Sequence, residues 1–148
     1  MLTATAKHAP VAEGQCSACH NPHQSKLGSL LLAQSPDLCM ACHTELKQKM
    51  AEQKSHSPAE RDCQRCHQPH SGSLDKLLML PLQSLCAECH DSTAESFKTA
   101  HLSIAAEVMN CVSCHDPHAS KDPKYFKPTM HAPFASRGCD ACHIVEKQ

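Results

Sequence analysis

The chain has 148 residues, a formal charge of −1, three Phe, one Tyr and no Trp. That length suits one domain but the composition is poor material for an ordinary core, and the interleaved charges offer no basic block for nucleic acid. No apolar run approaches the roughly 18 residues that span a bilayer; the longest, Leu77 to Leu82, is broken by Pro81.

Twelve Cys and thirteen His far exceed ordinary usage, so the chemistry of the chain belongs to these two residue types. Six Cys-x-x-Cys pairs begin at positions 16, 39, 63, 86, 111 and 139, at separations of 23, 24, 23, 25 and 28 residues. Two units of about 47 residues are plain and a third is altered. At an offset of 47, Leu27, Leu30, Leu31, Leu32 and Leu38 fall on Leu74, Leu77, Leu78, Met79 and Leu85. The apolar residues therefore repeat with the cysteines. In the third copy Tyr125 to Lys127 take the place of the Leu pair. A second element, His-x-Pro, stands seven or eight residues before three of the pairs, at His8, His56 and His131. By this criterion the last pair resembles the opening of a unit, so the chain is expected to end part-way through a repeat. Proline fixes φ, so these prolines read as devices that aim the adjacent imidazole.

Between the motifs the pattern predicts short helices in largely irregular chain. One is expected over Glu45 to Gln53, with Leu46 and Met50 at i,i+4, and another over Ser92 to Met109, with Phe97, Ile104 and Val108 roughly on one face. Four Gly and no alternating β-branched runs argue against a significant β-sheet. No Gly- or Ser-rich linker divides the chain, so a single domain over 1–148 is expected, with units of about 8–54, 55–100 and 101–148.

Every Cys-x-x-Cys pair is followed at once by a histidine: His20, His43, His67, His90, His115 and His143. Cys-x-x-Cys-His is the attachment signature of c-type haem. Two thiols three positions apart reach the two vinyl groups of one porphyrin edge, and the next residue carries its imidazole to the iron. The thioether residues would be Cys16 and Cys19, Cys39 and Cys42, Cys63 and Cys66, Cys86 and Cys89, Cys111 and Cys114, and Cys139 and Cys142. Four-cysteine zinc sites or disulfides would use the cysteines but leave six adjacent histidines to coincidence, a chance on the order of 10⁻¹⁰ at ordinary His frequency. A redox Cys-x-x-Cys normally occurs once, in a βαβ context.

Seven histidines remain: His8, His23, His56, His70, His101, His118 and His131. Six irons each want one more axial ligand, and the placement of these histidines matches that need. Three residues beyond a proximal ligand, the chain cannot cross to the other face of the same ring. His70 is therefore expected to cap the next haem, at Cys86, and by analogy His23 the Cys39 haem. The upstream His8 and His56 would cap the Cys16 and Cys63 haems, and His101 the Cys111 haem. His118 and His131 compete for the last, leaving one surplus or available to an iron in another molecule. The six Met are better read as gap filling against porphyrin than as ligands. Bis-His ligation implies potentials negative of Met/His cytochromes.

At these residues the chain resembles the multihaem c-type cytochromes built on the doubled Cys-x-x-Cys-His repeat. Their pattern is Cys-x-x-Cys-His-x-Pro-His, a Leu-Leu patch, then Leu-Cys-x-x-Cys-His, found here as "CSACHNPH", "LLL", "LCMACH" and as "CQRCHQPH", "LLML", "LCAECH". Two departures stand out: the third unit has no Leu-Cys second half, and "CDACHIVEKQ" lacks Pro-His. The resemblance implies a periplasmic or extracellular electron carrier, in some relatives a module of a larger conduit and in some a filament subunit. Partners would be other redox proteins, such as cytochromes, quinol-linked donors or terminal reductases, with self-association a further expectation. The start "MLTATAKHAP" lacks the apolar region of a secretory signal, so the expectation is a processed or recombinant chain.

The resulting expectation is a mostly irregular wrapper with short α-helices around a row of six covalently bound haems, an electron carrier rather than an enzyme. Ionised propionates would move the charge from −1 to about −7 when ferric and about −13 when reduced. The competing reading is a multihaem reductase of a small oxyanion, which needs an iron with an open position.

Overall fold

A computed structural model describes residues 6–136 and residue 138. Its elements are short because the sequence punctuates them every few residues. The chain opens with β1 (Ala6–Lys7) and α1 (Ala9–Ala12), then α2 (Asp37–Met40) and α3 (Thr44–Glu52). Next come β2 (Lys54–Ser55), α4 (Ser57–Arg61), β3 (Ser71–Gly72), α5 (Leu82–Ala87) and α6 (Glu95–Ala100). Last among the described residues are α7 (Cys111–Cys114), β4 (Ala119–Ser120) and α8 (Ala132–Ala135).

Each His-x-Pro element builds the same device. His8, His56 and His131 are the N-caps of α1, α4 and α8, all extended, with φ/ψ of −63/137, −74/123 and −64/127, and a proline fills the first helical turn. Proline suits that turn because its missing N–H would be unsatisfied there in any case. The imidazole is thereby set at a sharp change from extended to helical backbone.

The helix expected over Glu45 to Gln53 is α3, begun one residue earlier. The one expected over Ser92 to Met109 is broken. After α6 the chain turns left-handed at Leu102 and Ser103 (φ 55 and 56) and resumes only as a 3₁₀ turn at Ala106–Val108. The Ser103 amide reaches back to the Lys98 carbonyl at 2.8 Å, a closing bond of the kind that terminates helices. Ile104 and Val108, expected on a buried face, are 50% and 77% exposed.

The expectation of no significant sheet meets two minimal ladders. β1 pairs antiparallel with β3 (Ala6 opposite Gly72, Lys7 opposite Ser71) and β2 with β4 (Lys54 opposite Ser120, Ser55 opposite Ala119). Each joins the start of one repeat to the next repeat's segment just beyond Cys-His-x-Pro-His. The hydrogen bonding continues past the strands, from the His8 amide to the His70 carbonyl (2.9 Å) and from His56 to His118 (2.8 Å).

Among the described residues only Met40 and Ala119 are buried apolar side chains. A folded monomer of 16.1 kDa is expected to expose roughly 7,400 Å², whereas this chain presents 11272 Å². The described residues do not close a core on themselves.

Candidate functional site

One helical turn shapes each attachment motif. In all five described motifs the histidine amide donates to the carbonyl of the first cysteine, at 2.9 to 3.0 Å. That bond closes the turn which carries both thiols and the imidazole.

The imidazoles of three motifs are then oriented from behind. Nδ1 of His20, His67 and His115 lies 2.6, 2.9 and 2.9 Å from the carbonyl oxygens of Ser29, Lys76 and Lys124. A proton on Nδ1 satisfies the carbonyl and leaves the Nε2 lone pair for a metal. The supporting loop is held by the Leu pair of the repeat: Asn21 and Leu32 amides bond Leu30 and Cys19 carbonyls, and Gln68 and Met79 repeat this with Leu77 and Cys66. In the third unit Asp116 and Lys127 do the same with Tyr125 and Cys114, so Tyr125 to Lys127 occupy the Leu-pair position as the repeat alignment expects. The loop carries backbone strain, with Ser29, Leu30, Lys76 and Leu77 all left-handed at φ 54 to 55 and Tyr125 at 63. These carbonyl acceptors were missed in the sequence, though each stands nine residues after its motif histidine.

The histidines outside the motifs meet the motif histidines in pairs. His8 faces His43 with ring centroids 6.1 Å apart, His20 faces His70 at 5.9 Å, His56 faces His90 at 6.0 Å and His67 faces His118 at 6.0 Å, with planes within 8 to 24°. His101 and His115 stand 6.3 Å apart at 59°. An imidazole nitrogen bonds a first-row metal at about 2 Å, so rings on opposite sides of one iron have centroids about 6 Å apart. Every pair joins one motif histidine to one other histidine, which chance ring contacts would not do.

The rings that face each other differ from the sequence-based pairing at His8, His56, His70 and His118. His8 faces the Cys39 motif rather than Cys16, and His56 faces Cys86 rather than Cys63. His70 faces back to the Cys16 motif rather than forward to Cys86, and His118 faces Cys63 rather than the last motif. The reason is the two ladders: each lays the histidine of a Cys-His-x-Pro-His segment against the opening of the preceding repeat, a long-range contact that spacing does not reveal. Only His101 faces the motif expected of it, Cys111. His23 and His131 are exposed, and among the described residues no second imidazole faces either. Where His23 was expected beside the Cys39 motif, it is the His8 ring that faces His43. Cys139, Cys142 and His143 lie outside the described residues.

Two of the imidazoles that face motif histidines are also supported from behind. Nδ1 of His56 and His101 reaches the Pro117 and Phe97 carbonyls at 3.1 and 3.0 Å, and Phe97 lies against the His101 ring at 4.1 Å. Burial, aided by nearby His67, holds His118 below the ordinary imidazole range and so uncharged at neutral pH. Beside it Asp116, which burial alone would push up, is held low by hydrogen bonds from Lys49 and from the His118 and Ala119 amides.

The thiols show which motifs are neighbours. Burial first, then the Cys63 thiol, pushes Cys39 up to about 11, with Cys19 adding to it. Cys86 is likewise pushed up to about 11 by burial and by Cys111, with Cys66 contributing. Burial also raises Cys66, against Arg65 and with Cys89. The motifs thus adjoin in chain order: Cys19 to Cys39, Cys39 to Cys63, Cys66 to Cys86 and Cys89, Cys86 to Cys111. Among the described residues all ten cysteines are unpaired by disulfides, and no three His, Cys, Asp or Glu converge as a metal site. A zinc framework would need four. Paired thiols, opposed imidazoles and abundant uncovered apolar surface fit a flat apolar group held at its edge and capped on both faces.

The doubled CXXCH motif family matches at residues 8–48, 56–95 and 103–130, well over half the chain. The chain belongs to this family. It is a multihaem c-type cytochrome, of a class that attaches haem c through these motifs, takes part in electron transfer with other redox proteins and works outside the cytoplasm. No curated protein matches the sequence of this cytochrome, and among its described residues no helix is long and apolar enough to cross a membrane.

Proposed function

We propose that this cytochrome is a hexahaem electron carrier, a single domain wrapped around a row of haems that follow one another in chain order. Haem c, when bound, supplies reversible one-electron chemistry. The carrying observation is the set of five imidazole pairs at 5.9 to 6.3 Å, each between a motif histidine and another. On this reading His20, His43, His67, His90 and His115 are proximal ligands, and His70, His8, His118, His56 and His101 are their respective distal ones. The Cys139–His143 motif provides the sixth attachment site by sequence. The chain's own part is to anchor each ring at two sulfurs, to hold each imidazole with Nε2 free, and to keep water from the ring faces.

Adjoining motifs support a continuous path. Cys39 lies beside Cys63 and Cys86 beside Cys111, so rings anchored there are near neighbours, as short-range electron hopping requires. Paired imidazoles would leave five bound irons without an open position, which favours a carrier over a reductase. The test is intact mass with optical and EPR spectra of the protein matured in a periplasm. Six haems per chain with low-spin ferric signals support the reading; a bare polypeptide mass refutes it, and a nitrite- or carbon monoxide-sensitive high-spin majority would make it an enzyme. We place the protein in the periplasm or at the cell exterior, docking to partners of positive surface charge.

A further inference from the structure

Four of the five imidazole pairs are nearly parallel, with planes within 8 to 24°, while His101 and His115 stand at 59°. The exception has a cause in the local chain. His8 and His56 are N-caps of short helices, and His70 and His118 border the ladders, but His101 ends a helix, as the C-cap of α6 at φ/ψ −110/20. There the Phe97 carbonyl, one turn back, accepts from both the His101 amide and Nδ1 of its ring, each at 3.0 Å. The Phe97 ring lies over the same imidazole, with centroids 4.1 Å and planes 27° apart.

His115 is fixed by the same two kinds of contact. Its Nδ1 meets the Lys124 carbonyl at 2.9 Å, and the Phe126 ring lies 4.7 Å away at 20°. Phe126 stands where the first two repeats have leucine: His20 bridges to Leu31, His67 to Leu78 and His115 to Phe126. Among the described residues this is the one pair with both rings hydrogen-bonded at Nδ1, and the one with both rings against a phenylalanine. The other pairs have one such bond, at His20, His56 or His67, or none, as between His8 and His43. A hydrogen bond behind a ligating ring sets its orientation, and an aromatic face packed against it resists rotation. Phe97 and Phe126 are both half-buried, so each is held in place without forming part of a core.

We propose that Phe97 is a positioning residue that holds the His101 imidazole across the plane of His115, with Phe126 bracing the second ring, and that the iron of the Cys111 motif is thereby made electronically distinct from the other four so paired. This inference rests on the proposed haem row. The physical reason is orbital overlap. Each imidazole donates π density to the iron d orbital perpendicular to its own ring plane. Parallel rings act on one orbital of the d pair and split it, which stabilises the ferric state with its single hole in the upper level. Rings turned across each other act on both orbitals and bring them closer to level. Phe97 thus makes this site a better electron acceptor than the same site with aligned rings. The two carbonyl bonds make the imidazoles stronger donors and act the other way. They are made to main-chain atoms, so a change of the Phe97 side chain leaves them in place and isolates the effect of ring orientation.

The test is EPR of the matured ferric holoprotein beside Phe97→Leu, which keeps apolar bulk without a flat face, and Phe97→Tyr, which keeps the flat ring. Wild type should show the rhombic low-spin signals of parallel pairs and, beside them, a highly anisotropic low-spin signal with a single sharp feature at low field. Phe97→Leu should lose one iron's worth of that signal, gain as much rhombic signal, and move one step of a spectroelectrochemical titration to more negative potential. Phe97→Tyr should keep the wild-type spectrum. If Phe97 only packs, the leucine variant lowers the unfolding midpoint and leaves spectrum and potentials unchanged, and that result overturns the proposal. So does a wild type with rhombic signals alone, or loss of the anisotropic signal in Phe97→Tyr. A bare polypeptide mass overturns the haem row itself, and this proposal with it.

Discussion

At the scale of single residues, the structure separates ligation from aiming. A motif histidine is fixed at its backbone by the turn from the first cysteine and at its ring by a carbonyl nine residues on, at 2.6 to 2.9 Å for His20, His67 and His115. Left-handed backbone supplies the first two of those carbonyls, at Ser29 and Lys76. A non-glycine residue there costs roughly 1–2 kcal/mol, offset in part by glycine's greater freedom when unfolded. Lys76→Gly is therefore expected to stabilise the holoprotein by about 0.5–1 kcal/mol, read as a higher denaturant midpoint, while the His67 haem stays low-spin. Replacing a distal imidazole should act on the iron instead. His118→Met should move one potential of the row positive, by on the order of 0.1 V, in a spectroelectrochemical titration that leaves the other steps in place.

At the scale of elements, repeats are joined by small polar contacts rather than by a core. The ion pair of Lys49 on α3 with Asp116 ties the first repeat to the loop that presents His118, with side chains 35% and 16% exposed. Such a half-exposed pair contributes up to about 1 kcal/mol. Asp116 is held below its ordinary value of 3.8, so its contribution is complete above that pH and fades as pH falls through the depressed folded value. Lys49→Met should lower stability at pH 6 by about 0.5–1 kcal/mol and flatten the loss as pH falls below 3.8, as measured by denaturant unfolding at successively lower pH. Tyr125 is the second such tie. Its hydroxyl donates to the Ser55 carbonyl at 3.1 Å, its ring meets His56 edge-on at 5.5 Å, and Lys54 sits 4.9 Å above it. Tyr125→Phe removes one half-buried hydrogen bond and should cost about 1 kcal/mol without changing the spin state of the haem proposed to lie between His56 and His90.

At the scale of the whole molecule, area decides the thermodynamics. The chain exposes on the order of 4,000 Å² more than a folded monomer of its mass would, and its described residues bury no large side chain completely. Ordering the backbone costs about 1–2 kcal/mol per residue, which this polypeptide does not recover by its own packing. The haem-free chain, made without maturation, should therefore show no cooperative unfolding transition by circular dichroism and gain one only on haem attachment. Rings carrying ionised propionates would make the loaded molecule strongly acidic, so transfer rates to a basic partner should fall as ionic strength rises. Rates indifferent to salt would rule out electrostatic docking.

The sequence by itself determined the class of chemistry. Cys-x-x-Cys-His is local, its three side chains are placed by one turn of backbone, and its repetition at about 24 residues announces how many such turns there are. Local spacing also foretold α3 and the substitution of Tyr125 to Lys127 for the Leu pair. It misread the span from Ser92 to Met109, because apolar periodicity assumed a buried face that the structure leaves open at Ile104 and Val108. Which imidazole meets which motif was decided by the tertiary structure alone. Distances along the chain made His8 and His56 seem to belong to the motif just after them, yet the two ladders cross from repeat to repeat and pass His70 and His118 backward. The residue types of a motif are a property of neighbours in sequence; the facing of His70 and His118 to their motifs depends on contacts between residues 50 to 66 apart, and those exist only once the repeats have docked.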